Sequence, residues 1–218
     1  MSAVLIMARA PRAGATKTRL EPMLGPHGCA RLQAELIRHT VTWANRSGRD
    51  VWLAHTPPDS RDEISQLVPP TVHMFPQGEG DLGARLREAT QRVFRTGASA
   101  VTVIGTDAPQ LGQAHLYAAE KALAARNDAC LVPALDGGYA LISLSRPLLR
   151  AFDLPPEAWG GPDVLALTFK AIADHGRVAC TLDSVRDLDV PADAIALLGD
   201  PDLPEPIRRA LGVALVTA

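Results

Sequence analysis

Runs of apolar residues rich in valine, isoleucine and leucine recur along the chain at about 3–8, 50–55, 71–75, 100–105, 129–134 and 139–144, with a weaker one at 177–182. Most are too continuously apolar for a strand with one wet face, which would show a polar residue at every second position. Such runs fit strands covered on both faces. Helix-like segments fall between several of them, and together they imply a mainly parallel sheet. The expected fold class is α/β.

After Gly25-Pro26, the residues Leu32, Leu36, Ile37, Thr40, Val41 and Ala44 recur at helical spacing, and the spacing predicts a helix over about 27–46. Asp81 precedes Leu82, Leu86, Ala89, Val93 and Phe94 at the same spacing and Gly97 follows, so this segment carries both an N-cap and a C-cap signal. Further helices are expected over about 113–125 and 161–175, with a short terminal helix after Gly199. The runs at 129–134 and 139–144 flank Asp136-Gly137-Gly138, a hairpin-type turn that adds an antiparallel pair to the sheet.

At 218 residues the chain can bury a sizeable core, and with no linker-like stretch a single domain over 1–218 is expected. A hydrophobic fraction of 47% and a charged fraction of 21% set disorder aside, and a net charge of −2 argues against a general nucleic-acid binder. Cys29, Cys130 and Cys180 are odd in number, far apart and free of C-x-x-C, so neither a disulfide framework nor a zinc site is suggested and a reducing compartment is expected. No run approaches the ~18 apolar residues of a membrane span, and Arg9 interrupts the first run too soon for a signal sequence. A cytoplasmic location without membrane contact follows as the expectation.

Four stretches carry candidate chemistry. The first strand empties into Arg9-Ala-Pro-Arg12-Ala-Gly14-Ala-Thr-Lys17-Thr-Arg19, a loop with four fixed positive charges and no acid before Glu21. Cations at the carboxyl end of a strand lie where open α/β folds bind ligands, and a phosphate chain is the simplest match. A merely solvated basic loop is the alternative. Thr106-Asp107 follows the apolar run at 100–105, and a lone carboxylate at a sheet edge suits a divalent metal or caps a turn. In Asp187-Leu-Asp189-Val-Pro191, alternation puts both acids on one face of an extended segment, where they converge on a cation or cap the following helix. Asp136, Gly137, Gly138 and Tyr139 serve a turn, or leave room for substrate against the backbone. Nucleophile signatures such as G-x-S-x-G are absent.

Taken in order, Met7–Leu20, Gln77–Gly83, Gly105–Pro109, Asp136–Tyr139, Trp159–Val164 and Asp187–Pro191 resemble motifs of the nucleotide-diphospho-sugar transferase (GT-A) superfamily. The resemblance is nearest to a bacterial branch beside the molybdenum-cofactor guanylyltransferases and the 2-phospholactate or phosphoenolpyruvate guanylyltransferases. It implies a three-layer α/β/α sandwich with the nucleotide over the first strand's loop. Ala8, Arg9, Arg12, Gly14, Lys17, Gln77, Gly78 and Thr106 would surround that nucleotide, Lys17 and Arg19 gripping its phosphates. Asp107 and Asp189, with Asp187 as the competitor of Asp189, would hold Mg2+ or Mn2+, while Asp136–Tyr139, Trp159 and Gly160 would line the acceptor side. Two features depart from the wider pattern: Gly14 stands between Ala13 and Ala15 where many nucleotidyltransferases have G-x-G-x-R, and Gly105 occupies the place of a first D-x-D acid.

The expected activity is metal-dependent nucleotidyl transfer from a nucleoside triphosphate to a small anionic acceptor, with Lys17, Arg19 and Asp107 as catalytic groups. Glycosyl transfer from a nucleotide-diphospho-sugar is the competing reading, and a non-catalytic nucleotide-binding module is a third. Oligomeric state is left open, a homo-oligomer included.

Overall fold

The structure, a computed structural model, describes residues 1–212. In chain order its strands and α-helices are β1 (Ala3–Arg9), α1 (Glu21–Arg46), β2 (Asp50–Thr56), α2 (Arg61–Ser65), β3 (His73–Pro76), α3 (Leu82–Phe94), β4 (Val101–Ile104), α4 (Gln113–Ala124), β5 (Ala129–Pro133), β6 (Tyr139–Leu144), α5 (Val164–Ala173), β7 (Ala179–Thr181), α6 (Pro191–Leu198) and α7 (Glu205–Gly212). The seven strands form one sheet in the order β3-β2-β1-β4-β6-β5-β7. Every pairing is parallel except those of β6, which runs antiparallel to both β4 and β5.

Alternation along the buried strands builds two cores. Val4, Ile6 and Ala8 of β1 face Ile37 and Val41 of α1 and, farther along the sheet, Leu116 and Ala119 of α4 share the same cluster. Ala3 and Leu5 face the opposite way, towards Leu86, Ala89 and Val93 of α3 and the cluster that includes Ile172 of α5. The result is the expected three-layer α/β/α sandwich, with a mainly parallel sheet whose strands are covered on both sides. A third cluster joins Cys29, Leu32 and Leu36 of α1 to Leu188 and to Leu197, Ile207 and Leu211 of the last two helices. Between β4 and β6 one polar pair is buried, Thr102 and Ser143, whose hydroxyls lie 2.8 Å apart and satisfy each other.

The element boundaries depart from expectation where glycine and proline act locally. Helix α1 is interrupted at the non-helical Gly25 (φ 64, ψ 167): a short helical stretch from Glu21 precedes the break, and the long part from Pro26 to Arg46 agrees with the expected 27–46. Strand β3 starts two residues late, at His73, because Pro69 and Pro70 keep the chain in a turn whose Val72 amide bonds to the Pro69 carbonyl. Helix α5 starts at Val164, after Gly160-Gly161-Pro162, and is shorter than the expected 161–175. The N-cap of α3 is as the sequence implies, with the Asp81 side chain accepting from the Ala84 amide at 2.8 Å. Among the described residues no helix is long and apolar enough to cross a membrane.

At the end of the sandwich where β1 starts, Glu120 of α4 accepts from Arg49 at both oxygens (2.9 and 2.7 Å) and from the Ser2 hydroxyl at 2.6 Å. The Arg49 hydrogen bonds hold the Glu120 carboxyl below the usual range despite partial burial. A carboxylate with a lowered folded-state pKa stabilises fully above its unfolded pKa and loses that contribution as pH falls through the folded value. Glu120→Gln should therefore lower stability by about 1 kcal/mol at neutral pH, with the difference from wild type shrinking below pH ~4 in urea titrations.

At the opposite end the β5–β6 turn docks on the start of α5, with the Gly137 carbonyl accepting from the Leu165 amide at 3.0 Å. Gly137 has φ 96, and a Cβ there would overlap the Pro162 carbonyl. Gly137→Ala should cost about 2 kcal/mol or more, read as a lowered denaturant midpoint at unchanged slope.

Candidate active-site cleft

The carboxyl ends of β1 and β4 meet the first residues of β6, which reach the same edge because β6 runs the other way. A cleft of about 560 Å³ opens there, lined among others by Ala8, Arg9, Lys17, Arg19, Gln77, Arg85, Thr106, Asp107, Asp136, Tyr139, Trp159, Gly160 and Asp189. It is the position at which doubly wound sheets bind ligands.

Its centre is Lys17. The residue has φ 50 and ψ 35, a left-handed backbone that is uncommon for a non-glycine side chain, and it caps a short 3-10 turn over Thr18–Leu20. That conformation turns the side chain inward until only 5% of it is exposed. The ammonium Nζ lies 2.5 Å from Asp107 Oδ1 and 2.9 Å from Asp189 Oδ1, and it donates to the Leu188 carbonyl at 2.7 Å. Burial pushes the Lys17 pKa down, but the Asp107 and Asp189 carboxylates more than restore it and hold the ammonium above its ordinary value.

Neither acid does the capping that the sequence left open. The Asp107 side chain goes to Lys17, while its backbone carbonyl accepts from the Leu188 amide at 2.8 Å. Before α6, the amides of Asp189 and Val190 are taken by Asp193 Oδ2 at 3.2 and 3.1 Å, which leaves Asp189 and Asp187 free of that role. Asp187 lies outside the cleft wall yet within its field. Burial, then the Asp136, Asp107 and Asp189 carboxylates, push Asp187 up to about 7 against the opposing pull of Lys17.

The sequence candidates divide accordingly. Ala8, Arg9, Arg19, Gln77, Thr106, Asp136, Tyr139, Trp159 and Gly160 come together with Lys17, Asp107 and Asp189 in the cleft wall. Lys17, expected to grip phosphates, presents its charge to carboxylates instead, because two acids and a carbonyl surround it. Arg12 is turned away: its guanidinium pairs with Glu63 (2.5 Å) and Asp59 (3.1 Å). Gly14 (φ 73) is exposed in a turn outside the cleft, so it shapes the loop rather than giving close approach to a ligand. Gly78, Gly137 and Gly138 also lie behind the wall; Gly138 donates its amide to Asp136 Oδ1 at 2.9 Å and so orients that acid.

Gln77 is buried and occupied. Its amide nitrogen donates to the Ala54 carbonyl at 3.0 Å, and its oxygen accepts from Arg85 at 3.2 Å. Arg85 itself was not marked by sequence, although its place one turn past the Asp81 cap could have found it. Gln33 was also missed. From α1 it donates to the Arg9 carbonyl (3.2 Å) and to the Thr106 hydroxyl (3.1 Å), tying the loops after β1 and β4 together. Its signal is a polar residue on the apolar stripe that holds Leu36, Ile37 and Thr40. Opposite, Trp159 packs on Gly83, where a Cβ would lie 2.7 Å from the indole nitrogen. Burial pushes the Tyr139 hydroxyl pKa up, so this group stays protonated.

For a metal, the donors are of the right kind: Asp107, Asp187 and Asp189 are hard oxygen ligands, which Mg2+ and Mn2+ favour. Burial and then the neighbouring carboxylates raise the Asp187 pKa, and a divalent cation would offset the carboxylate part. Among the described residues no three His, Cys, Asp or Glu side chains already converge as a metal cage. The donor set fits a metal, with Lys17 as the cation that two of its members now share.

Residues 40–158 match the profile of a bacterial family described as "Uncharacterized protein conserved in bacteria (DUF2064)". A search of curated proteins found no match. Among solved structures, a candidate nucleotide-diphospho-sugar transferase from Desulfovibrio desulfuricans G20 is 26% identical, covering 99% of this chain and 95% of its own with a TM-score of 0.86. A 4-diphosphocytidyl-2C-methyl-D-erythritol synthase from Anaerococcus prevotii DSM 20548 is 10% identical over 89% of this chain and 96% of its own, with a TM-score of 0.59. A Mycobacterium tuberculosis H37Rv protein solved in complex with manganese is 18% identical over 92% of this chain and all of its own, with a TM-score of 0.57. The architecture is that of the nucleotide-diphospho-sugar transferase superfamily. The profile spans more than half of the chain, from the last turns of α1 through the Asp107 edge to Ala158, and the chain belongs to the DUF2064 family.

Proposed function

We propose that the chain catalyses metal-dependent transfer of a nucleotidyl group from a nucleoside triphosphate to a small acceptor, releasing pyrophosphate. The observation that carries this reading is the division of charge in the cleft. Arg9 ends β1, Arg85 reaches Gln77 beside the Ala54 carbonyl of β2 and Arg19 lies on the loop after β1, while Asp107 follows β4, Asp136 precedes β6, and Asp189 is joined to Asp107 through Lys17. A polyphosphate complexed with a divalent cation matches that division, its oxygens meeting the arginines and its metal meeting the acids. The likeness to a diphosphocytidyl synthase and to a protein solved with manganese supports the same reading. The guanylyltransferase-like motifs of the sequence agree with it.

In the reaction, an acceptor oxygen bonds to the α-phosphorus as the bond to the bridging oxygen breaks, and pyrophosphate leaves with the bonding electrons. Arg9, Arg19 and Arg85 would bind phosphate oxygens and stabilise the charge that accumulates on the leaving group. Held by Asp107 and Asp189 with Asp187 beside them, Mg2+ or Mn2+ would supply further positive charge to the phosphates. Gln77 would act by orienting Arg85 and closing the β1–β2 edge. Asp136, Tyr139, Trp159 and Gly160 would position the acceptor, and no protein nucleophile is needed.

Glycosyl transfer from a nucleotide-diphospho-sugar is the second reading, favoured by the D. desulfuricans structure. Product analysis separates the two: incubation with nucleoside triphosphates should release pyrophosphate, whereas glycosyl transfer would release a nucleoside diphosphate from UDP- or GDP-sugars. A nucleotide that binds and is never turned over with any acceptor would favour a silent binding module. In thermal-shift assays, a nucleoside triphosphate should raise the melting temperature more with Mg2+ than without it, since ligand binding to the native state raises apparent stability. Asp107→Asn should abolish the magnesium-dependent part of that shift and reduce kcat/KM by ~100-fold or more.

A further inference from the structure

We infer that Lys17 is a resident counter-cation that a divalent metal must displace from Asp107 and Asp189, so that the resting protein binds free metal weakly. The inference rests on the reading of the cleft as a metal-dependent site and goes beyond it, because it concerns which cation the acids hold before substrate arrives.

Three observations carry it. The ammonium lies within 2.5–2.9 Å of Asp107 Oδ1, Asp189 Oδ1 and the Leu188 carbonyl, as many oxygens as it has protons to donate. Seated there, its charge is turned to protein oxygens and away from a phosphate. A divalent ion drawn to the same two Oδ1 atoms would have to sit against a buried positive charge that already neutralises them. Finally, the side chain is aimed inward by a left-handed backbone, held by the Leu20 amide and the Cys29 thiol, both of which donate to the Lys17 carbonyl at 2.8 and 3.2 Å. Backbone outliers of this kind persist where the surroundings impose them and cluster at functional sites.

The physical consequence is competition followed by exchange. A free divalent ion that takes the two Oδ1 atoms does so against the ammonium's charge, and an ejected ammonium then lacks a partner. A metal arriving on a polyphosphate brings one, since its phosphate oxygens can receive the displaced lysine. Lys17 would thus pass from the acids to the phosphates as the metal takes its place, and the metal and the nucleotide would bind cooperatively.

The test measures free Mn2+ binding to the whole chain by electron paramagnetic resonance and calorimetry, without nucleotide. Lys17→Met, which keeps the length of the side chain and removes its charge, should bind Mn2+ at least ~10-fold more tightly than wild type, a gain of ~1.4 kcal/mol. Lys17→Arg should remain as weak as wild type. A Lys17→Met protein that is folded by circular dichroism and binds Mn2+ no more tightly would overturn the inference. So would a Lys17→Arg protein that gains affinity equally. A crystal of wild-type protein soaked in concentrated MnCl2 gives a measurement that needs no variant: the expected result is an anomalous peak between Asp107 and Asp189 with Lys17 swung out. Manganese bound elsewhere with Lys17 still seated would refute exchange. Nucleotide turnover without the Lys17→Met gain defeats this inference alone, and the gain without any nucleotide response defeats the functional reading alone.

Discussion

The cleft depends on one ion cluster gathered around a buried ammonium. Lys17 comes from the loop after β1, Asp107 from the loop after β4, and Leu188 and Asp189 from the segment before α6, and the ammonium joins all three. Removing a lysine ammonium from water is expensive, and two half-exposed carboxylates and a carbonyl around the nitrogen offset that cost. The surroundings share the task. The Leu188 side chain is fully buried against α1 and the C-terminal helices, and Asp193 fixes the backbone at Asp189 and Val190. The acids are thus carried by a rigid frame, which is what a site needs if charge is to be held at fixed points without reorganisation.

The second determinant is the reversal of β6. A parallel strand at that place in the sheet would bring its last residue, Leu144, to the cleft edge; the antiparallel strand brings Tyr139 and Ala140. The reversal also puts the tight turn at Asp136–Gly138 above the sheet, where Gly137 leans on Pro162 and the first turn of α5. One wall of the cleft is therefore made by a hairpin and the other by strand-to-helix loops. Arg9 and Arg19 on one side and Asp136 and Tyr139 on the other consequently belong to structurally different units.

Much of this was legible in the chain. Continuous apolar runs located all seven strands, because a strand buried on both faces has no room for the polar alternation that would blur it. The Asp81 cap and the Asp-Gly-Gly turn were readable because each satisfies a backbone requirement with a specific residue. What the sequence did not disclose was pairing across long separations. Arg12 and Lys17 were both expected at the nucleotide, yet Arg12 is drawn outward by Asp59 and Glu63 on the next crossover, and Lys17 inward by acids far along the chain. Local spacing carries no information about such partners. Gln33 and Arg85 escaped for a related reason: each acts by bridging a loop from another part of the chain, and neither lies in a motif.

The separation between Lys17 and Leu188, 171 residues, sets the order of events in biosynthesis. Loop-closure entropy must be overcome before contacts so distant in sequence form, so the ion cluster belongs to the late stages of folding. Chain emerging from the ribosome can pair β1 with β2 and then with β4 while Lys17 and Asp107 still lack the oxygens of Leu188 and Asp189. The nascent protein can therefore possess most of its sheet without possessing its site, and the cleft is completed only after the segment that carries Leu188 and Asp189 has been synthesised.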